Sequence, residues 1–274
     1  MKIFNITTDT CELKHIDSIF SYLNESLNDE WGLYVRRHNQ EDFKLETKYG
    51  ICIILSAEGH SYIPPEVKNM KVFMNYPPKN NNTFPHFFNP NDFVKIPNLF
   101  ELQLGTAKWF NTKHDIDINE RMYDISFIGQ YDPYTRVDFY KCAIDLKTKI
   151  DRSYIHFYEG WNNGIGSEKY SEIMSQTKIA LVPYGSASLD TFRFYEAMSC
   201  GCVVMSINQN NYEFMNGCPY LKLPNWNPGL IKECIQSISQ KDFSALSLQS
   251  RKFWETNLSP KASASFILNK IKEN

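Results

Sequence analysis

The sequence predicts an α/β protein of two units, each built on a parallel sheet, with the first unit abbreviated. Three observations carry this. Short apolar runs rich in β-branched and aromatic residues alternate with longer segments of helical period, the pattern of strand–helix–strand units whose sheets are covered on both faces. The chain has 274 residues, enough for one large domain or for two of roughly 100–150 residues. A polar stretch, residues 110–121 (FNTKHDIDINER), separates one set of runs from the next. An N-terminal unit is therefore expected over residues 1–115 and a C-terminal unit over residues 116–274.

Composition narrows the function classes. With 29 Lys+Arg against 31 Asp+Glu the formal net charge is -2, so the cationic field on which non-specific nucleic-acid binding depends is missing. A 42% hydrophobic and 22% charged chain is that of an ordinary globular protein. The N-terminus (MKIFNITTDTCELKH) has no signal-peptide apolar region, and no stretch approaches the ~20 apolar residues of a membrane span. The seven cysteines include no C-x-x-C pair and lie largely in apolar segments, which reads as reduced, buried thiols in a cytoplasmic protein.

In the first unit, residues 2–7 (KIFNIT), 51–55 (ICIIL) and 71–75 (KVFMN) read as strands and residues 13–23 as an amphipathic helix. Residues 76–98 follow, with five prolines and four phenylalanines. The prolines exclude a helix, and the phenylalanines argue for packing, either as a functional loop or as a connector pinned to the core. The second unit opens with the strand 123–129 (YDISFIG), then a helix over 134–149, a strand 154–158, a helix 168–176 and a strand 178–182. A helix over 191–199 and a strand 202–206 come next. Beyond Pro228 the pattern is helical, Pro260 interrupts it, and a last amphipathic helix over 262–272 is expected to pack back on the N-terminal unit.

Ligands of open parallel sheets bind outside the carboxyl ends of the strands, so the loops there matter most. After YDISFIG, Gly129 lets a phosphate approach the backbone and Arg136, in the first turn of the next helix, supplies a planar charged fork. The second loop runs on from Pro183. Tyr184, Gly185 and Ser188 belong to a small-residue loop, Asp190 is a plausible N-cap, and Thr191 opens a helix whose free N–H groups and partial positive charge suit an anion. Arg193 and Glu196 share one face of that helix. The arginine opposes the helix dipole, and a bound anion explains its place better than helix stability does. On spacing alone an intrahelical Arg–Glu pair explains the two residues equally. A third loop, residues 159–167, offers Trp161 as a stacking surface or simply as a buried ring.

The longer pattern breaks the tie. A strand, Pro183-x-Gly185-Ser186, then Arg193-x-x-Glu196-Ala197 and Gly201-Cys202-Val203-Val204 resembles the nucleotide-sugar signature of GT-B glycosyltransferases, nearest to the exostosin-like group. The resemblance covers residues 123–206. It implies two Rossmann-like domains, the C-terminal one holding a UDP-, GDP- or CMP-linked sugar donor, and transfer of the sugar to a glycan or other hydroxyl acceptor in the cleft between them, by inversion and without a metal. It further implies that Arg193 contacts the diphosphate or leaving phosphate and Glu196 the ribose. Tyr184, Gly185 and Ser188 would line the phosphate loop, with Gly129 and Arg136 facing it from the first strand. Such positive groups stabilise a departing nucleotide, the role a metal plays in the other common glycosyltransferase fold.

An inverting transfer needs a base on the acceptor hydroxyl, in this fold from the N-terminal domain. Glu58 and His60 follow the strand 51–55; either suits the role of base, with the other orienting it or binding substrate, and Glu58 is preferred. His86, Phe87 and Phe88 are candidates for stacking on an acceptor sugar or for plugging the core. Asp115-Ile116-Asp117 is a D-x-D, the metal-binding signature of the other glycosyltransferase fold, but it follows no hydrophobic strand and reads as coincidence. No zinc spacing and no G-x-x-x-x-G-K-[ST] loop occurs. Two rivals remain: a non-catalytic module that binds a nucleotide sugar or glycan and regulates a partner enzyme, and a dinucleotide oxidoreductase, which lacks the expected G-x-G-x-x-G. Contact with a membrane surface during glycan synthesis is compatible with the sequence.

Overall fold

The structure is a computed structural model that describes residues 2–8, 14–26, 32–38, 51–55, 71–75, 99–107, 109–113, 116–132, 136–160, 164–185, 191–207 and 212–273. The chain divides into two compact units. Met1–Lys108, Asn211–Phe214 and Leu258–Asn274 form the first, and Trp109–Asn210 with Met215–Asn257 the second. The first break therefore falls at Lys108, earlier than residue 115, because residues 110–121 are not a solvated linker. Phe110, Ile118 and Arg121 are each 3% exposed, and the Asn111 N–H donates to Ser171 Oγ at 3.1 Å. Burial of these side chains joins the stretch to the second unit.

The first unit holds five parallel strands, β1 (Lys2–Thr8), β2 (Gly32–His38), β3 (Ile51–Leu55), β4 (Lys71–Asn75) and β5 (Leu99–Glu101), in the order β2-β1-β3-β4-β5. Sequence reading missed β2 and β5. The first, GLYVRRH, has a basic half that masks its apolar start, and the second, LFE, has only three residues. Helix α1 (Lys14–Ser26) buries Ile19 and Leu23, four apart on one face. It packs on the last helix, α7 (Pro260–Lys272). Pro260 begins α7 rather than standing before it. Ser259 is the N-cap and accepts from Ala262 N at 3.2 Å, and a proline suits the first helical position because its missing N–H would be unpaired there. At the other end Lys71 Nζ donates to the carbonyls of Lys270 and Glu273, so strand β4 caps α7.

The second unit holds β6 (Tyr123–Gln130), β7 (Ser153–Tyr158), β8 (Thr177–Leu181), β9 (Val203–Ser206) and the short β10 (Leu221–Lys222), parallel in the order β10-β9-β8-β6-β7. Counted within each unit, both sheets have the order 2-1-3-4-5, the doubly wound arrangement with its switch point between the first and third strands. Helices α2 (Val137–Lys149), α3 (Ser167–Ser175) and α4 (Phe192–Ser199) link successive strands, and α5 (Pro228–Ser237) and α6 (Gln240–Phe253) follow β10. The core gathers Ile125 and Phe127 of β6, Phe139 and Leu146 of α2, Ile179 and Leu181 of β8, and Val203 and Met205 of β9. All four β9 residues are buried, which is why central parallel strands read as continuous apolar runs.

Helix α4 ends as its sequence predicts. Gly201 has φ +67 and donates to Met198 O at 2.9 Å, while Cys202 N donates to Ala197 O at 2.9 Å. This paired closure needs a left-handed residue at the first position beyond the cap. The turn delivers the chain directly into β9.

Candidate functional site

In the second unit the switch point lies between the carboxyl ends of β6 and β8, and the chain leaves β8 there to enter α4. Pairing of β6 with β8 stops at Ser126, opposite Ala180, although β6 continues to Gln130. Arg193 supplies donors at this opening. Its Nε and Nη2 donate to the Ile128 carbonyl at 3.0 and 2.7 Å. Its guanidinium carbon sits 4.5 Å from the centroid of the Phe127 ring, a cation–π contact on a ring that is itself 1% exposed. Anchoring uses the Nε hydrogen and one on Nη2, leaving the Nη1 pair and the second Nη2 hydrogen for a ligand.

Gly129 is brought to the same place. A Cβ there would lie 2.4 Å from Arg193 Nη2 and 2.7 Å from Phe127 Cζ. The missing side chain makes room for the arginine itself. Arg136 is the N-cap of α2 rather than a residue of its first turn, and its Nη1 donates to the Gln130 carbonyl at 3.4 Å. Two arginines thus attach to the last carbonyls of β6, one from each neighbouring helix.

Beyond β8, Tyr184 is half-buried and Gly185 buried; burial raises the Tyr184 phenol above its ordinary pKa. Ser188 and Asp190 lie outside the described residues. The N-cap of α4 is Thr191, with extended backbone (φ -141, ψ 143), in place of the expected Asp190. Thr191 is 8% exposed, and its Oγ1 is buried with no hydrogen-bond partner. A buried hydroxyl left unpaired at a helix start costs on the order of 1–3 kcal/mol, and it stands where an anion would accept from it.

Glu196, one turn into α4, is 1% exposed. The hydroxyl of Tyr170, on α3, donates to its Oε2 at 2.7 Å. Burial first, then the charge of Glu196, pushes the Tyr170 phenol well above its ordinary range, with Arg193 opposing the shift. The Tyr170 hydroxyl therefore keeps its proton beyond its ordinary range and stands as the donor to Glu196. Trp109 and Phe110 meet its ring edge-on at 5.3 and 5.9 Å.

Arg121 holds the other end of α4. It donates from Nη2 to the Cys200 carbonyl at 2.7 Å and from Nη1 to the Thr177 carbonyl at 2.8 Å, and Nη1 also lies 3.6 Å from Cys202 Sγ. A guanidinium at a helix C-terminus complements the dipole there. Sequence reading missed both Tyr170 and Arg121, since their partners lie 26 and 56–79 residues away and no local spacing announces them.

Of the remaining candidates, Asp117 caps a short turn by accepting from Asn119 N at 2.8 Å, which gives half of the D-x-D a structural use. Asp115, Glu58, His60, His86, Phe87, Phe88 and Trp161 lie outside the described residues. Among the described residues no cluster of three His, Cys, Asp or Glu side chains could hold a metal, the five described cysteines are free, and no helix is long and apolar enough to cross a membrane.

Two doubly wound α/β units, each with its parallel strands in the order 2-1-3-4-5, define the GT-B fold, and the second carries an arginine-bearing helix at its switch point. Comparison with solved structures bears out this fold over the full chain. A glycosyltransferase from Rickettsia africae ESF-5 matches with TM-score 0.55 at 9% identity, covering 100% of this chain and 99% of that one. S. aureus MnaA solved with UDP matches with TM-score 0.54 at 10% identity, covering 99% and 96%. An α-glucosyltransferase in complex with UDP matches with TM-score 0.52 at 9% identity, covering 100% of both. No protein-family profile matches the chain, and no curated protein matches it in sequence.

Proposed function

We propose that the protein is a glycosyltransferase that moves a sugar from a nucleoside-diphosphate donor to a hydroxyl of a glycan acceptor with inversion, and that it belongs with the exostosin-like group. The observation that carries this reading is the Arg193 guanidinium, held at the β6–β8 switch point by the Ile128 carbonyl with N–H groups to spare. Those donors, the Thr191 hydroxyl and the first N–H groups of α4 suit the two phosphates of a donor. Arg136 supports the same charge from the α2 side, and Tyr184, Gly185, Ser188 and Asp190 are the further donor-binding residues of this reading. Glu196, a turn deeper, takes the ribose hydroxyls.

Chemistry follows from this placement. As the bond between the anomeric carbon and the donor phosphate breaks, negative charge grows on the leaving diphosphate. Fixed guanidinium groups stabilise that charge without reorganising, a contribution of roughly 10²–10³ in rate per donor in comparable sites. Glu58, with His60 beside it in sequence, takes the proton of the acceptor hydroxyl as it attacks from the opposite face.

Thermal unfolding of the chain with UDP, GDP, CMP and their sugars tests the reading. One nucleotide is expected to raise the melting temperature, since a ligand at 100 times its Kd adds about 2.7 kcal/mol of stability. Arg193→Ala should remove that response and turnover together, and Glu196→Ala should weaken it sharply. If no nucleotide shifts the transition, the donor site is wrong. If the nucleotide binds but no sugar is ever transferred or hydrolysed, the enzyme reading is wrong.

A further inference from the structure

Two hydrogen bonds to a single oxygen leave a guanidinium one freedom. Arg193 Nε and Nη2 both donate to the Ile128 carbonyl, and because a carbonyl oxygen accepts over a broad range of directions, the group can swing about that oxygen and carry its remaining N–H groups with it. A second contact is needed to set the plane, and Phe127 makes it. The guanidinium carbon stands over the Phe127 ring at 4.5 Å from its centroid, inside the range in which the negative face of an aromatic ring attracts a cation. Phe127 and Gly129 are two apart on β6 and share one face of the sheet, so the ring adjoins the space above the glycine. A Cβ on Gly129 would meet both Phe127 Cζ and Arg193 Nη2. The ring cannot turn aside. It is 1% exposed, with Phe139 of α2 at 4.6 Å and Phe157 of β7 at 5.0 Å between centroids, and Trp226 packs on Phe139 at 4.7 Å.

Building on the donor reading above, we infer that Phe127 is a positioning residue: its ring fixes the plane of the Arg193 guanidinium, so that the N–H groups not used by Ile128 face the diphosphate site before a donor arrives. The buried ring touches no substrate and acts through the arginine alone. Its effect is preorganisation. A charged donor already fixed in place stabilises developing negative charge without reorienting as the bond breaks, and a stacked planar fork loses less freedom with each hydrogen bond it makes. An aliphatic side chain of similar bulk would fill much of the space and leave Arg193 bonded to Ile128, yet present no ring face. The ligand would then have to order the guanidinium itself, and affinity and rate would fall.

The full chain, isotopically labelled at arginine, should be studied by NMR as wild type, Phe127→Leu and Phe127→Met, and titrated calorimetrically with UDP, GDP and CMP. In wild type the Arg193 Nε–H resonance should be displaced upfield by the ring current and the two Nη groups should give separate signals before any nucleotide is added. This readout needs no variant to fold, and an Arg193 signal averaged by free rotation would overturn the inference. Phe127→Leu and Phe127→Met should average the Nη signals and weaken binding of the nucleotide that wild type takes by about 10-fold, the size of a partly desolvated cation–π contact. In an Arg193→Lys background, which keeps the charge and loses the planar fork, the same substitutions should change affinity by less than about 2-fold, as expected once the interacting partner is gone. An equal cost in both backgrounds would mean that Phe127 acts by packing, and the inference fails while the donor reading stands. Loss of core volume lowers the melting temperature in either case, so the decision rests on the arginine signal and on the background dependence, which packing alone would not move. A wild type that binds none of the three nucleotides overturns the donor reading, and this inference with it.

Discussion

Arg193 donates twice to the carbonyl oxygen of Ile128, from Nε at 3.0 Å and from Nη2 at 2.7 Å, across 65 residues of sequence. One contact therefore ties the start of α4 to the end of β6 at the point where β6 has no β8 partner. Without it the guanidinium would be a solvated side chain in a first helical turn, where the dipole disfavours a cation. With it, the charge is held in one place.

Gly129→Ala should displace Arg193. The new Cβ would meet Arg193 Nη2 at 2.4 Å and Phe127 Cζ at 2.7 Å, and only the arginine tip is free to move, because the Phe127 ring is 1% exposed within the core. Stability should fall by about 1–3 kcal/mol, as for other overpacked sites. The effect on nucleotide binding should approach that of Arg193→Ala. Melting curves with and without UDP, GDP or CMP measure both, and unchanged nucleotide affinity would show that Arg193 tolerates the methyl group.

Arg121→Met should destabilise the second unit without touching the ligand. It removes donors from the Thr177 and Cys200 carbonyls, bonded at 2.8 and 2.7 Å, in a place that is 3% exposed. Leaving both unpaired should cost about 2–4 kcal/mol, read as a lower urea midpoint with an unaltered slope. A midpoint equal to wild type would mean that water reaches these carbonyls.

Gly201→Ala should be a smaller defect of the same kind. Gly201 has φ +67, and its Cβ would stand 3.1 Å from Ser247 Oγ. A left-handed L-residue costs roughly 1–2 kcal/mol, so the urea midpoint should drop modestly and the nucleotide response should persist. An alanine that leaves the midpoint alone would place the α4–β9 turn outside the cooperative core.

Alkaline pH should destabilise the protein through buried thiols. Burial pushes Cys200 up to about 12, with Cys202 adding to the rise and Arg121 opposing it. Burial likewise pushes Cys202 up to about 11, again against Arg121. Below the ordinary thiol value of 9.0 both native and unfolded chains hold these protons, so their contribution is constant. Above it the unfolded chain releases protons that the native chain retains, and stability falls by up to about 1.4 kcal/mol per pH unit per thiol. The loss runs until the native thiols ionise in turn. Urea midpoints at pH 8, 9, 10 and 11 should therefore decline from about pH 9, and substituting Cys200 and Cys202 by Ala should lessen the decline, the remainder belonging to Cys142 and Cys218, which burial also pushes up to about 12. A midpoint that is level from pH 8 to 11 would contradict this burial.

Most of the second unit was legible in advance because its signals are local. The apolar runs at 123–129, 178–182 and 202–206, the helix around Arg193 and Glu196, and the glycine at 201 each announce themselves within a few residues, and the resemblance of residues 183–204 to a nucleotide-sugar signature rests on such spacing. The first unit was read less completely. Its strand β5 has only three residues, and the apolar start of β2 is masked by its basic second half.

The sequence by itself determined the doubly wound class, the order of strands and helices from β6 to β9, and the segment that bears the charged pair, since periodicity, turn chemistry and helix ends are encoded in neighbours. Only the tertiary structure decided what those residues do to one another. It showed Gly129 as the space that Arg193 occupies, Tyr170 as the donor to Glu196, Arg121 as the clamp on the end of α4, and residues 110–121 as part of a folded unit. Each of these depends on a carbonyl, a ring or a hydroxyl brought in from a distant segment. A buried polar group must find its partner wherever the fold supplies one, and sequence spacing carries no record of that choice.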